Sequence, residues 1–289
     1  MQAADQTLIE DLAILRALAI EAGALAMRFK QDKRETRNWE KTGGSPVTEA
    51  DIAVNELCAA RLGEARPDYG WLSEETADVP ARRQKQRCWV VDPIDGTRAY
   101  MRDDPHWCVG LAIVEDGRAV AGVLYAPELG ALYEARDGGG AYLNGEMISV
   151  SDCLAEEGCR LITHQGMVSH KSWPTPWPRV ILAKPSPNAT LLRLAFVADG
   201  TWDAAIALSH KSDWDLAAGA ILVQEAGGVS STHKGEPFAF NRHAPVQRSL
   251  IAAGKRLHPL LVQRSVIVDI SDPQDPDGSS APTINNGVS

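Results

Sequence analysis

The chain has 289 residues, 44% of them hydrophobic and 23% charged, enough to bury a core as one large domain or as two lobes sharing one. Its net charge of -9 excludes the basic stripe of a nucleic-acid groove, but not an anionic substrate, because bound cations reverse the local field. No apolar run is long enough to span a membrane.

At the N-terminus, apolar residues at helical spacing over residues 8–29 predict an amphipathic helix. Acids at Asp5, Glu10 and Asp11 do not suit a basic-then-apolar signal peptide, so the chain is expected in the cytosol. The charged stretch 30–41 reads as a mobile connection. Residues 48–62 read as a second helix capped by Thr48. Strand-like runs follow at 88–91, 109–115, 119–127 and 131–135, punctuated by Gly117, Gly130 and Gly138 to Gly140, which suggests an antiparallel meander. From Arg160 short apolar runs alternate with helical ones, including 191–197 and 203–208, which suggests an α/β lobe. The five cysteines (58, 88, 108, 153 and 159) are odd in number and form no Cys-x-x-Cys pair, and they read as free thiols, mostly buried. Residues 271–289, rich in Pro, Asp, Ser and Asn, are expected to be disordered.

The most informative stretch is Trp89-Val90-Val91-Asp92-Pro93-Ile94-Asp95-Gly96-Thr97. An apolar run stops at an acid, and Pro93 and Gly96 force a turn. Two carboxylates, the Ile94 carbonyl and the amides of Gly96 and Thr97 then share one strand end. Hard divalent cations take such oxygen ligands, and amides opening a helix take phosphate. Asp-Pro and Asp-Gly are also ordinary turn formers, so the segment alone reads equally as a site or as a turn. Two further acidic clusters shift the balance. Glu74-Glu75 follows Gly70-Trp71-Leu72-Ser73. Asp213-Trp214-Asp215 leads into a helix that is apolar nearly all round and stops at Gly227-Gly228. Either aspartate could simply cap that helix. A carboxylate opening a buried helix nevertheless needs a partner, which favours a ligand role for Asp215.

These residues resemble the signatures of the inositol monophosphatase superfamily, magnesium-dependent and lithium-sensitive phosphatases. The first signature stands as Trp89 to Thr97. The second stands as Trp214-Asp215-Leu216-Ala217-Ala218-Gly219 through Glu225-Ala226-Gly227-Gly228. Glu74-Glu75 and Pro46-Val47-Thr48-Glu49-Ala50-Asp51 match two further positions. The resemblance spans roughly residues 8–257, and four motifs in order are far more specific than any one.

The resemblance implies a layered αβαβα sandwich of the α+β or α/β class, with an N-terminal lobe (1–155), a C-terminal lobe (156–270) carrying Asp215, and the tail. It implies two or three magnesium ions. Glu74, Asp92 and the Ile94 carbonyl would hold the first, which activates water. Asp92, Asp95 and Asp215 would hold the second, at the leaving oxygen. Thr97 would share the nucleophile's proton network with Asp51 behind it, and the Gly96 and Thr97 amides would cradle the phosphate. Glu75 is left to an outer shell or a weak third ion. Family members are often dimers, which leaves room for a homodimer here.

At the substrate end the pattern departs from the animal enzymes. Residues 205–212 contain no acid where those have an inositol-gripping glutamate. Lys211 and His210 suit a second anionic group better, although Lys211 could equally be a solvated loop residue. The small phosphorylated metabolite is therefore expected to be a 3'(2'),5'-bisphosphate nucleotide such as 3'-phosphoadenosine 5'-phosphate, with inositol 1-phosphate as the alternative. A regulatory binding module acting without turnover is the reading from another class. Such a module need not retain every acid, whereas Glu74, Asp92, Asp95, Thr97 and Asp215 all stand here. There is no Gly-x-x-x-x-Gly-Lys-Ser/Thr loop to support a kinase-like nucleotide module.

Overall fold

The computed structural model describes residues 2–32, 38–40, 46–171, 173–270 and 283–284. Helix α1 (Gln2–Gln31) buries Leu15, Leu18, Ala19, Ala22 and Ala26, which recur at three- and four-residue spacing on one face. Strands β1 (Asn38–Glu40) and β2 (Pro46–Thr48) pair antiparallel, so part of the expected connection is strand, while residues 33–37 and 41 of it lie outside the described residues. Helix α2 (Glu49–Ala65) opens with the expected cap: Thr48 Oγ1 accepts from the Asp51 amide at 3.4 Å, and the Thr48 amide donates back to the Asp51 carboxylate at 2.8 Å.

A seven-stranded sheet follows, its strands in sequence order: β3 (Gly70–Ser73), β4 (Arg87–Asp95), β5 (Cys108–Glu115), β6 (Arg118–Ala126), β7 (Ala131–Arg136), β8 (Gly140–Leu143) and β9 (Glu146–Met147). Only β3 and β4 are parallel; the rest is the antiparallel meander that the glycine punctuation predicts. The short helix α3 (Thr97–Met101) links β4 to β5.

The second half begins with β10 (Arg160–Ile162), α4 (Gln165–Val168), β11 (Ile181–Leu182), α5 (Thr190–Ala198) and β12 (Ala204–Ala207). It continues through β13 (Lys211–Ser212), α6 (Ala217–Glu225), β14 (Gly228–Ser231), β15 (Val246–Gln247), β16 (Leu250–Gly254) and α7 (His258–Ser265). Its five-stranded sheet has the order β11-β10-β12-β16-β14, parallel among β11, β10 and β12 and antiparallel elsewhere. Two residues of β17 (Val268–Asp269) pair with β18 (Thr283–Ile284); the remainder of the expected disordered tail lies outside the described residues.

The two-residue period of the strands sorts the layers. Trp89, Val91, Leu111, Ile113 and Val123 pack with α1 and α2, whereas Cys88, Val90, Ala112, Val114 and Leu124 pack with α5 and α6. The inner face of the second sheet, with Ile162, Ala205 and Ala252, joins that same α5/α6 cluster. Its outer face, with Leu161, Ala204 and Ile251, packs on Leu257 and Leu261 at α7. The order is helix, sheet, helix, sheet, helix: the αβαβα sandwich.

The middle layer sits close to both sheets because its contact residues are small. A Cβ on Gly122 of β6 would meet Ala218 Cα at 2.8 Å, so only glycine lets α6 approach there. That approach brings the start of α6 to the strand ends of the first sheet. All five cysteines are free, four of them buried. Among the described residues no helix is long and apolar enough to cross a membrane.

Candidate active site

The site begins with a fault in β4. Asp92 pairs with Gly110 and Asp95 with Cys108, so β4 uses three residues where β5 uses two. In a regular strand, residues three apart point to opposite faces; the extra residue of a bulge cancels that alternation. Asp92 and Asp95 thereby converge, and Asp215 joins them from the loop before α6. One carboxylate oxygen from each lies within 4.8 Å of the others. Gly96, with φ of 91°, turns the chain from β4 into α3; a Cβ there would sit 3.1 Å from both Ala189 Cβ and His106 O.

Each acid is anchored differently. Asp95 accepts from the amides of Thr190 (3.1 Å) and Leu191 (2.6 Å) in the first turn of α5. Asp215 Oδ2 accepts from the Ser212 amide at 2.8 Å. Neither Asp213 nor Asp215 caps α6 through its side chain. Instead the Asp213 carbonyl accepts from the amides of Leu216 (3.2 Å) and Ala217 (2.9 Å). Asp92 Oδ1 is buried and has no hydrogen-bond partner among the described residues. An orphaned buried carboxyl group of this kind, beside two more, fits a cation rather than a structural role.

Parallel pairing of Ser73 with Val91, and a 3.3 Å bond from the Glu74 amide to Val91 O, carries Glu74 to the same strand end. Glu75 follows, its amide 3.4 Å from Ser73 Oγ. Asn55 holds that turn: it accepts from Ser73 Oγ at 2.6 Å and donates to Thr76 Oγ1 at 3.0 Å. It lies one helical turn after Asp51, on the same face of α2, a spacing from which its position could have been read. Asp51 itself accepts from Thr48 Oγ1 at 2.6 Å and from Thr97 Oγ1 at 3.2 Å. The Thr97 hydroxyl also lies 3.1 Å from the Ile94 carbonyl, so its single proton is shared between two acceptors.

Crowding of acids controls the electrostatics. Burial, then the charges of Glu74, Asp95 and Asp215, hold the Asp92 carboxyl well above the usual range. Burial and Asp215 push Asp95 up to about 7, against the two α5 amides. Burial pushes Asp215 up to about 6, with Lys211 opposing. Asp51 is raised too, by burial, against the hydrogen bonds from Thr48. A metal-free site therefore retains protons near neutrality, and a divalent cation would displace them.

Beside the acids lies a cavity of about 470 Å³, walled by Thr163, His164, Trp173 and Leu208 and carrying two cationic side chains, Arg193 and Lys211. None of its lining residues is acidic. Arg193 Nε donates to Pro187 O at 2.7 Å; burial lowers its affinity for the proton while Asp95 raises it, which places it near that acid. Lys211 bears on Asp215 in the same way. Thus Glu74, Asp92, Ile94, Asp95, Gly96, Thr97, Asp51 and Asp215 share one strand-end cluster, and Lys211 lies on the adjoining cavity. Arg193 and Asn55 are the residues that the sequence reading missed.

A cluster of buried carboxylates at one strand end is a set of oxygen ligands suited to divalent cations, the kind that metal-assisted phosphate hydrolysis uses. The profile of the inositol monophosphatase family matches residues 8–268, and the chain belongs to that family. It is a phosphoric monoester hydrolase. It is 32% identical to an inositol-1-monophosphatase of Mesorhizobium japonicum, over 84% of this chain and 97% of that one. It is 31% identical to the 3'(2'),5'-bisphosphate nucleotidase CysQ of Aggregatibacter actinomycetemcomitans, over 70% and 77%. Among solved structures, the extragenic suppressor protein suhB of Bartonella henselae superimposes with a TM-score of 0.75 at 25% identity, covering 88% of this chain and 98% of that one.

Proposed function

We propose that this phosphatase hydrolyses a small metabolite carrying a second anionic group, foremost a 3'(2'),5'-bisphosphate nucleotide such as 3'-phosphoadenosine 5'-phosphate. The observation that carries this reading is the cavity with Arg193 and Lys211 and no acid on its wall. A neutral polyol offers nothing for two partly desolvated cations to meet, whereas a second phosphate pairs with both and a flat ring suits Trp173 and Leu208. Inositol 1-phosphate is the second reading, favoured by the Mesorhizobium relative that aligns over most of both chains.

In this reading Glu74, Asp92 and the Ile94 carbonyl hold one magnesium ion and Asp92, Asp95 and Asp215 a second, with Glu75 at the margin for a weak third. When bound, such ions neutralise the charge of the phosphate and acidify a coordinated water. The chain's own residues do the rest. The hydroxyl of Thr97, between Ile94 O and Asp51, can pass a proton from the nucleophile toward Asp51, whose raised affinity for protons suits it to receive one. The amides of Gly96 and Thr97, at the start of α3, face no intrahelical acceptor and orient the phosphate. The α5 amides fix Asp95 against rotation.

The test is kcat/KM, with magnesium, for 3'-phosphoadenosine 5'-phosphate, inositol 1-phosphate and fructose 1,6-bisphosphate. The nucleotide should rank first. A clear preference for inositol 1-phosphate would overturn the assignment and install the second reading.

A further inference from the structure

Arg82 is 3% exposed, and the mechanism above does not use it. It sits in the single turn Pro80–Gln84 that follows the Glu74-Glu75 loop, and the backbone of that turn is seated on β3: a Cβ on Gly70 would meet Arg82 O at 2.9 Å. Its guanidinium grips two directions at once. Toward its own loop, Nε and Nη2 donate to the two carboxylate oxygens of Asp78 at 2.6 and 2.9 Å. Across the molecule, Nη1 donates to Asn241 Oδ1, and Nη2 to the Arg242 carbonyl at 2.9 Å.

The far side of this grip leads to Asp215. Asn241, held at φ of 59°, donates its amide to Asp213 Oδ2 at 2.7 Å. Asp213 is fully buried, and its other oxygen accepts from Gln247 Nε2 at 2.8 Å. Its backbone amide donates to Pro245 O at 2.8 Å, and its carbonyl starts α6. Two residues further on stands Asp215. One unbroken set of hydrogen bonds, running from the partly exposed Asp78 to the fully buried Asp213, therefore joins the loop of Glu74 to the loop of Asp215.

We propose that Arg82 is a positioning residue, clasping these two loops together and so setting the distance between the carboxylates that bracket the metal site. An arginine–aspartate pair with one member buried and the other 36% exposed adds little net stability, because desolvation of the guanidinium and solvent screening of the carboxylate offset the attraction. What a planar five-donor fork supplies is fixed geometry, which a lysine ammonium does not. The proposal rests on the reading that Glu74 and Asp215 bind metal.

Calorimetric titration with Mg2+ alone, without substrate, tests it on wild type, Arg82→Lys and Asp78→Asn, with melting temperature measured in EDTA. Groups that orient metal ligands from behind typically control affinity by about ten- to a hundredfold. Both variants should bind Mg2+ weaker by that factor, while Leu261→Ala, which destabilises the core beneath α7 instead, should bind as wild type does. If Arg82→Lys does not fold, Asp78→Asn, changed at the half-exposed end of the clasp, decides alone. Wild-type Mg2+ affinity in the variants would overturn the clasp whatever their melting temperatures. No Mg2+ binding by wild type would overturn the metal reading first, and the clasp with it.

Discussion

Replacing Asp92 by asparagine should make the metal-free protein more stable while abolishing its activity. Asp92 is 1% exposed, stands within 4.8 Å of oxygens from Asp95 and Asp215, and has one oxygen without a partner among the described residues. Two ionised carboxylates at that separation repel by roughly 3.5 kcal/mol at an effective dielectric constant of about 20. The metal-free cluster relieves this by holding a proton, foremost on Asp92, whose carboxyl is held well above the usual range by burial and its acidic neighbours. Keeping that proton at pH 8, where an unfolded aspartate is ionised, destabilises the metal-free fold, and asparagine removes about 1 to 3 kcal/mol of this cost. The asparagine amide inherits that unpartnered position, and the desolvation it retains sets the lower end of this range. At roughly 2–3 °C per kcal/mol for a chain of this size, melting in EDTA should rise by about 2 to 9 °C. In magnesium the order should reverse, because the ligand proposed to bridge two ions has lost its charge, and kcat should fall by at least about a hundredfold. Scanning calorimetry with EDTA and with magnesium, alongside turnover at saturating magnesium, measures both. An unchanged or lowered melting temperature in EDTA, together with near-wild-type turnover, would refute the reasoning.

Stabilisation by magnesium should grow with pH. Asp95 and Asp215 titrate near 7 and 6 in the fold, above an ordinary aspartate, so the folded state binds more protons than the unfolded one between about pH 4 and 7, and the metal-free protein loses stability as pH rises through that window. Magnesium competes with those protons, and the melting shift it causes should be larger at pH 8 than at pH 5.5; a shift independent of pH would count against acid ligation. Arg193→Gln and Lys211→Ala should each raise KM for 3'-phosphoadenosine 5'-phosphate by about five- to a hundredfold, the loss of one charge-assisted contact, and hardly change it for inositol 1-phosphate. Equal effects on both substrates would reduce the two cations to a general field. Calcium should inhibit, since it tolerates irregular coordination and can occupy the site without aligning the attack, and lithium should inhibit at millimolar levels; full activity after exhaustive chelation would contradict both expectations.

What the sequence discloses and what it hides divide along a physical line. The meander is legible because its turns need glycines at positive φ, such as Gly117 and Gly130, and those are local requirements. The acids are legible because a buried carboxylate is costly anywhere in a fold, so Asp92, Asp95 and Asp215 in apolar contexts demand a reason. Capping of α6 is an alternative the sequence allows for both aspartates, and in the structure neither side chain is the cap. Asp213 and Asp215 both have the right chemistry for a cap, but other donors, the distant Gln247 and Asn241 for one and the neighbouring Ser212 amide for the other, take their oxygens away from the helix. The bulge that aligns Asp92 with Asp95 is invisible because it exists only relative to the pairing of β5. Arg82 and Asn241 are 159 residues apart, and nothing local marks either one.

Arg193 is different, because a signal for it was present. Helix α5 reads Thr-Leu-Leu-Arg-Leu-Ala-Phe-Val-Ala, eight uncharged and mostly apolar residues around one guanidinium. Seven of the nine are buried, which a helix that apolar requires whatever surrounds it. A charge in such a helix must have an anion to meet, or water, or a ligand. In the structure it has a backbone carbonyl on one side, the acid cluster within electrostatic reach and a cavity on its flank. The same argument that singles out Asp215 from its apolar helix therefore singles out Arg193 from its own, with the sign of the charge reversed. An acid in that setting points to a cation and an arginine to an anion. Side by side, the two positions are what the proposed function rests on, one placed for a metal and the other for a second negative group.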